Sequence, residues 1–109
     1  MDLAIDWEHL HQISDGSAAF ERELLQIFVE DTERHLVTAQ TALTQQDWSQ
    51  LAQTAHHIKG SSANVGFYLM QNVALQIEQH ALENKFTEIT TLMTQLAEML
   101  EEVRKYLKN

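Results

Sequence analysis

The sequence has few of the residues that interrupt helices or form cross-links. It contains no cysteine and no proline, and its three glycines stand at positions 16, 60 and 66. Without cysteine, neither a disulfide framework nor a thiolate metal site can form. Without proline, and with so little glycine, tight β-hairpins are disfavoured and long helices can run without a break. We therefore expect an all-α fold.

Basic residues are also scarce. Seven Lys and Arg stand against 16 Asp and Glu, which gives a formal net charge of -9. Nucleic acid and anionic membrane surfaces would repel such a chain, so we expect neither as a partner. No apolar run approaches the roughly 20 residues of a membrane span, and the amino terminus does not resemble a signal peptide. Together with the lack of cysteine, this predicts a soluble, cytoplasmic protein that acts on other proteins.

Helical periodicity is present along most of the chain. A length of 109 residues with 44% hydrophobic content fits a single domain over residues 1–109. Polar turns near residues 14–16, 46–47 and 83–85, with a helix stop at Gly66, divide it into a short helix from about Asp6 and four long helices, at about 17–45, 48–65, 67–82 and 86–107. Because short turns make neighbouring helices antiparallel, we predict an up-down-up-down four-helix bundle with the short N-terminal helix capping one end.

Apolar residues spaced by three and four positions define the predicted core. In the second helix they are Phe20, Leu24, Ile27, Phe28, Leu36, Ala39 and Leu43. In the third they are Trp48, Leu51, Ala55, Ile58 and Val65. The last two helices contribute Met70, Val73, Ala74, Ile77, Ala81, Ile89, Leu92, Leu96, Met99, Val103 and Tyr106.

Acidic residues are unevenly distributed. Residues 48–77 contain no Asp or Glu, and the one formal charge among them is Lys59. A segment without acids can accept an added negative charge, although a buried central helix would give the same pattern.

The motif AHHIKGSSANVG lies at residues 55–66 of the third predicted helix. At about 100° per residue, His56 lies about 160° from the core residue Ile58 and points outward. His57 lies about 100° from His56 and does not share a face with Lys59. The residues on the face of His56 are Ala52, Lys59, Gly60 and Ala63. Since three of these four are small, the imidazole should be open to approach.

This motif resembles the signature of histidine-containing phosphotransfer (Hpt) domains, in which His-x-(Ile or Leu)-Lys-Gly precedes small and hydroxyl residues and a later glycine. Here the signature begins at His56 and continues through Ile58, Lys59 and Gly60 to Gly66. The acidic long helix before it and the amphipathic helices after it extend the resemblance over most of the chain. The resemblance implies a protein that accepts a phosphoryl group on His56 from a receiver aspartate and passes it to another receiver.

The resemblance also implies roles for the neighbours of His56. Lys59 would stabilise the phosphoryl group, and Gly60, with Ala52 and Ala63, would keep the approach clear; no metal ligand is implied. A neutral imidazole, with a reference pKa of roughly 6.5, can attack a phosphoryl group without a dedicated base. A mid-helix glycine costs about 1 kcal/mol relative to alanine, so we interpret Gly60 as room for the phosphoryl group and a partner.

Phosphoryl transfer needs parts that this sequence does not supply. It has no GxxxxGK[ST] loop, so we expect a phosphotransfer intermediate without ATP-binding or autokinase activity. We expect no cofactor, and Mg²⁺ should come from the partner, by resemblance the receiver domain of a response regulator or hybrid histidine kinase. Because the pocket of a receiver is acidic, as this protein is, docking should be apolar, with Ile5, Leu10, Ile13 and Val29 as candidates. A monomer is expected.

Two alternatives remain open from the sequence. The first is a metal-binding four-helix bundle, but di-iron bundles use two Glu-x-x-His pairs, and Glu8 with His11 is the single such pair here. We therefore interpret the remaining histidines as ordinary surface or half-buried residues: His9, His11, His35 and His80. The second alternative is a helical adaptor that never carries phosphate, which the sequence does not exclude.

Overall fold

In the computed structural model, residues 3–108 are described, and they form five helices and no strand. The helices are α1 (Trp7–Ile13), α2 (Ala18–Thr44), α3 (Trp48–Asn64), α4 (Tyr68–Leu82) and α5 (Phe86–Lys108). The predicted all-α fold class is confirmed, and the four long helices end within one residue of their predicted bounds. Across this described range, no helix has both the length and the apolar character that a membrane span requires.

Side-chain caps explain where three of the helices begin. Asp6, Ser17 and Asp47 each accept a hydrogen bond from the amide three residues ahead, at 3.1, 3.2 and 3.2 Å respectively. A cap of this kind satisfies one of the amides that a helix start leaves without a partner. The cap residues therefore fix the first turns of α1, α2 and α3.

The turns between helices use left-handed backbone conformations. Gln46 and Asn84 have φ of 56° and 57°, and Gly66, between α3 and α4, has φ of 77°. Gly66 is also tightly packed, because a Cβ at this position would lie 3.1 Å from both Cβ and the carbonyl oxygen of Asp6. The amide of Asp6 donates to the Gly66 carbonyl at 2.8 Å. The segment before α1 is thereby held against the α3–α4 turn.

The four long helices close into a ring. α3 packs against α2 and α4, and α5 packs against the same two helices from the other side. α1 covers one end, where Trp7 meets Tyr106 of α5 edge to face with ring centroids 5.3 Å apart. His11 of α1 pairs with the buried Glu21 near the start of α2. The predicted four-helix bundle with a short N-terminal capping helix is confirmed.

Most predicted core residues are buried, but the prediction is wrong for two residues of α2. Phe20 and Ile27 are 45% and 55% exposed. On a helical wheel, the buried positions of α2 centre roughly 40° from Phe28, and the two exposed residues lie about 120–140° from that centre. Both residues are spaced three or four positions from other apolar residues, so the sequence pattern placed them in the core. In the structure they lie beyond the edge of the buried face.

Three of the four candidate docking residues are unsuitable. Ile5, Leu10 and Val29 are buried in the core, with at most 7% exposed. Leu10 is covered because α1 packs onto the bundle end. Ile13, at the last turn of α1, is 44% exposed and is the candidate that a partner could reach.

Candidate functional site

His56 lies on the outer face of α3, and its side chain is 66% exposed. It borders an open hollow whose other lining residues are Ala52, Gln53, His57 and Glu78. Because α3 is held between α2 and α4, His56 has a fixed base while its ring remains accessible. The helical-wheel expectation that His56 points outward is met.

Glu78 of α4 joins His56 to Lys59. Its Oε2 lies 3.0 Å from Nδ1 of His56, and its Oε1 accepts a hydrogen bond from Nζ of Lys59 at 2.9 Å. The Glu78 and Lys59 side chains are half-buried, at 21% and 25% exposure. One carboxylate therefore positions both side chains that the signature singles out.

The protonation of Glu78 determines the tautomer of His56. Burial alone would raise the pKa of Glu78, but the hydrogen bonds from Lys59 and His56 and the charge of Lys59 outweigh it, so this pKa lies below its ordinary value. An ionised carboxylate can only accept, so Nδ1 of His56 carries the proton and donates it. A neutral His56 ring then has its lone pair on Nε2, the nitrogen that does not face Glu78.

His57 is engaged differently, with α2 instead of α4. Its Nε2 lies 2.9 Å from Oδ2 of Asp31, and its ring stacks on His35 with centroids 3.8 Å apart. Burial alone would raise the pKa of Asp31. The hydrogen bond from His57 and the charges of His35, His57 and Arg34 outweigh burial, so this pKa lies below its ordinary value and the carboxyl is ionised at neutral pH. Nε2 of His57 is therefore the donor and has no lone pair to offer.

The small residues predicted around His56 have different surroundings. A Cβ at Gly60 would meet nothing within 4 Å, so no packing contact of the described chain requires glycine there. Ala52 is buried and lines the hollow beside His56. Ala63, two turns after His56, is half-buried and does not line the hollow. Gly60 and Ala52 thus leave space next to the imidazole.

Glu78 is the site residue that the sequence analysis missed, and it corrects the picture of an acid-free surrounding. Residues 48–77 lack acids, but the first acid after them reaches back to His56. A signal was present, because His56 lies 10 residues before the Gly66 turn and Glu78 lies 12 after it. Residues nearly symmetric about the turn of an antiparallel pair face each other at the same height.

Comparisons with known proteins bear on the family and the fold. A family model for the Hpt domain matches residues 23–106. The chain is 27% identical over 104 residues to the phosphorelay intermediate protein rdeA of Dictyostelium discoideum. That alignment covers 95% of this chain and 41% of rdeA, so the chain spans less than half the length of this relative.

Two solved structures resemble the fold. The histidine-containing phosphotransfer protein B (HptB) of Pseudomonas aeruginosa PAO1 is 28% identical with a TM-score of 0.87, covering 96% of this chain and 91% of that chain. The HPT domain of an Hpt sensor hybrid histidine kinase from Shewanella has a TM-score of 0.74 at 20% identity, with the same coverage, and shows the fold alone. The chain belongs to the Hpt domain family, which confirms the resemblance and the function class that it implies, histidine phosphotransfer in a phosphorelay.

Proposed function

We propose that this chain accepts a phosphoryl group on Nε2 of His56 from a receiver aspartate and passes it to the aspartate of a second receiver. The observation that carries the proposal is the contact of Glu78 with both His56 and Lys59. It holds an exposed imidazole in one tautomer, with the lone pair on Nε2 and a cation nearby. Such an arrangement prepares the ring for attack before the partner arrives.

The transfer step balances without a base on this chain. The lone pair on Nε2 of His56 attacks phosphorus, and the N–P bond forms as the bond from phosphorus to the aspartate oxygen breaks. The aspartate carboxylate leaves with that electron pair, and no proton leaves Nε2. The ring becomes cationic because Nδ1 keeps its proton, and the ionised Glu78 stabilises this charge through a charge-assisted hydrogen bond. The reverse sequence delivers the group to the next receiver.

Lys59 and Gly60 act on the phosphoryl group itself. Phosphorylation adds negative charge, and the ammonium of Lys59, one turn from His56 on the same face, can move from Glu78 to the phosphoryl oxygens. Gly60 leaves open space where a side chain would meet the phosphoryl group or the partner. Ala52 has the corresponding place one turn before His56.

The partner supplies what this chain does not. The acceptor carboxylate and Mg²⁺ belong to the receiver domain of a response regulator or hybrid kinase, and this chain contributes the histidine. The sequence offers no nucleotide-binding loop, so the chain works without ATP binding or autokinase activity. We place it in the cytoplasm as a monomer, because it lacks cysteine and the long helices close a core among themselves.

Exposed apolar residues of α2 form the proposed receiver-docking surface. Phe20 and Ile27 lie on the same side of α2 as Asp31, within about 40° on a helical wheel. Asp31 contacts His57, so this side borders the α3 segment that carries His56. Ile13 adds a third exposed apolar side chain from α1. Apolar contact suits this acidic chain and the acidic pocket of a receiver, which gain nothing from long-range charge attraction.

Phosphoryl transfer from a radiolabelled, phosphorylated receiver tests the proposal. Wild type, His56→Gln and His57→Gln are compared on a gel that preserves acid-labile phosphohistidine. We expect label on wild type and His57→Gln and none on His56→Gln. If wild type stays unlabelled across a panel of receivers, the adaptor alternative replaces this proposal; if His57→Gln alone loses label, the acceptor assignment is wrong.

A further inference from the structure

A second cluster of ionisable side chains lies where α2 meets α3, on a different side of α3 from Glu78. Asp31 and His35 are one turn apart on α2, and His57 reaches them from α3. One potential ligand atom from each residue lies within 4.8 Å of the others. The phosphotransfer chemistry described above uses none of these three side chains.

The spacing of these atoms suits a single metal ion. Two zinc–ligand bonds of about 2.0–2.1 Å at the tetrahedral angle place their ligand atoms roughly 3.4 Å apart. Here Nε2 of His57 lies 2.9 Å from Oδ2 of Asp31, and Nδ1 of His35 lies 3.5 Å from Oδ1. The imidazoles of His35 and His57 are stacked, so both rings must turn out of the stack before their lone pairs meet at one ion. Since the three side chains are 28–48% exposed, a water molecule can take the fourth position.

The donor set selects the class of metal. Two imidazoles and one carboxylate suit Zn²⁺ and similar divalent transition metals, whereas Mg²⁺ and Ca²⁺ prefer oxygen ligands. Nδ1 of His35 now donates to the backbone carbonyl of Asp31 at 2.8 Å, and His57 donates to the carboxylate. Metal binding replaces both hydrogen bonds, and each neutral ring keeps its proton on its other nitrogen.

We propose that Asp31, His35 and His57 bind one divalent transition-metal ion of the Zn²⁺ type and thereby link α2 to α3. The site differs from the di-iron arrangement considered for the sequence, because its ligands come from two helices and follow no Glu-x-x-His spacing. A bound ion stabilises the folded chain by mass action, since the unfolded chain does not hold the three ligands together. His56 and Glu78 remain free for phosphotransfer.

Titration calorimetry of the metal-free full chain with ZnCl₂ tests the site, and Co²⁺ absorption in the visible range reports its coordination geometry. We expect one equivalent of Zn²⁺, and no comparable binding of Mg²⁺. Asp31→Asn, His35→Gln and His57→Gln should each weaken Zn²⁺ binding by roughly tenfold or more, because each removes one of three protein ligands. His9→Gln and His56→Gln, which remove histidines outside the cluster, should leave it within about twofold.

The same titrations can overturn the proposal. Absence of saturable 1:1 binding to wild type would do so. Equal losses of Zn²⁺ affinity in the cluster variants and the two controls would also do so, because they would indicate adventitious binding to surface histidines. Circular dichroism melts without metal establish that the variants are folded. If His57→Gln fails to fold, the Zn²⁺ affinities of Asp31→Asn and His35→Gln on α2 test the proposal. Phosphotransfer is assayed separately, so failure here leaves the assignment of His56 untouched.

Discussion

Two faces of α3 carry adjacent histidines, and each histidine is paired with an ionised carboxylate from a neighbouring helix. His56 donates from Nδ1 to Glu78, whereas His57 donates from Nε2 to Asp31. His57 also stacks on His35, while His56 faces an open hollow. A carboxylate partner therefore does not by itself mark a phosphoryl acceptor. What distinguishes the acceptor is the nitrogen that remains free and the space around it.

Replacing each carboxylate by an amide should give the largest difference in transfer rate between the two faces of α3. We expect Glu78→Gln to slow phosphoryl transfer roughly tenfold or more, because a charge-assisted hydrogen bond to the ring, worth about 1.5–3 kcal/mol, becomes a neutral one. Asp31→Asn, on the other face, should stay within about twofold. Stopped-flow transfer from a phosphorylated receiver measures both rates. If Asp31→Asn is as slow as Glu78→Gln, the distinction between the two faces is wrong.

Removing the cation from the His56 face should have a smaller effect. Lys59→Met should lower the transfer rate several-fold, and by no more than about tenfold, since the side chain is partly solvated and its charge partly screened. The matched control is Lys85→Met, which removes a cation that pairs with Glu83 in the α4–α5 turn. Equal rates for the two variants would mean that Lys59 does not act on the phosphoryl group.

A substitution at Gly60 should raise the free energy of unfolding and lower the rate of phosphoryl transfer. Gly60→Ala should raise the free energy of unfolding by about 1 kcal/mol, because alanine favours helix and its Cβ meets no atom within 4 Å. The same variant should slow transfer, because the methyl group enters the space beside His56. Urea unfolding and the receiver assay measure the two effects.

The control for this variant is Gly16→Ala. Gly16 also has open space around it, but its φ of 75° disfavours alanine, so this variant should lose stability and keep its transfer rate. A Gly60→Ala protein that is both more stable and fully active would show that position 60 need not be glycine for access.

Both carboxylates should make stability depend on acid pH, and this is the smallest expected effect. The pKa values of Glu78 and Asp31 lie below their ordinary values of 4.5 and 3.8, so the folded state favours the ionised forms. Their contribution is complete above the ordinary pKa and is lost as pH falls through the lowered one. Unfolding free energies at pH 6 and pH 3 should therefore differ less in Glu78→Gln than in wild type. An unchanged difference would contradict the pairing.

The fold followed from local sequence signals. The caps Asp6 and Asp47 and the turns at Gln46 and Asn84 act within a few residues, so the helix bounds could be predicted closely. The exposed position of His56 also followed from its angle on a single helix. These features depend on local chain geometry, which periodicity and capping preferences record.

The features that sequence analysis missed depend on how helices pack. Glu78 lies on another helix than His56, and their contact requires the register of α3 against α4. The cluster of Asp31, His35 and His57 requires the register of α2 against α3. The exposure of Ile27 depends on which edge of α2 its neighbours cover. The near-symmetric spacing of His56 and Glu78 about Gly66 indicates the first of these contacts. No local pattern fixes the other two, which could be read from the structure alone.

The central claim is that Nε2 of His56 is the atom that carries the phosphoryl group. Nitrogen-15 NMR of the chain before and after phosphorylation by phosphoramidate tests it most directly. We expect a proton on Nδ1 of His56 before the reaction, and afterwards a phosphorus–nitrogen coupling at Nε2 of the same ring, with His57 unchanged. A phosphorus coupling at Nδ1 of His56, or at either nitrogen of His57, would contradict the account.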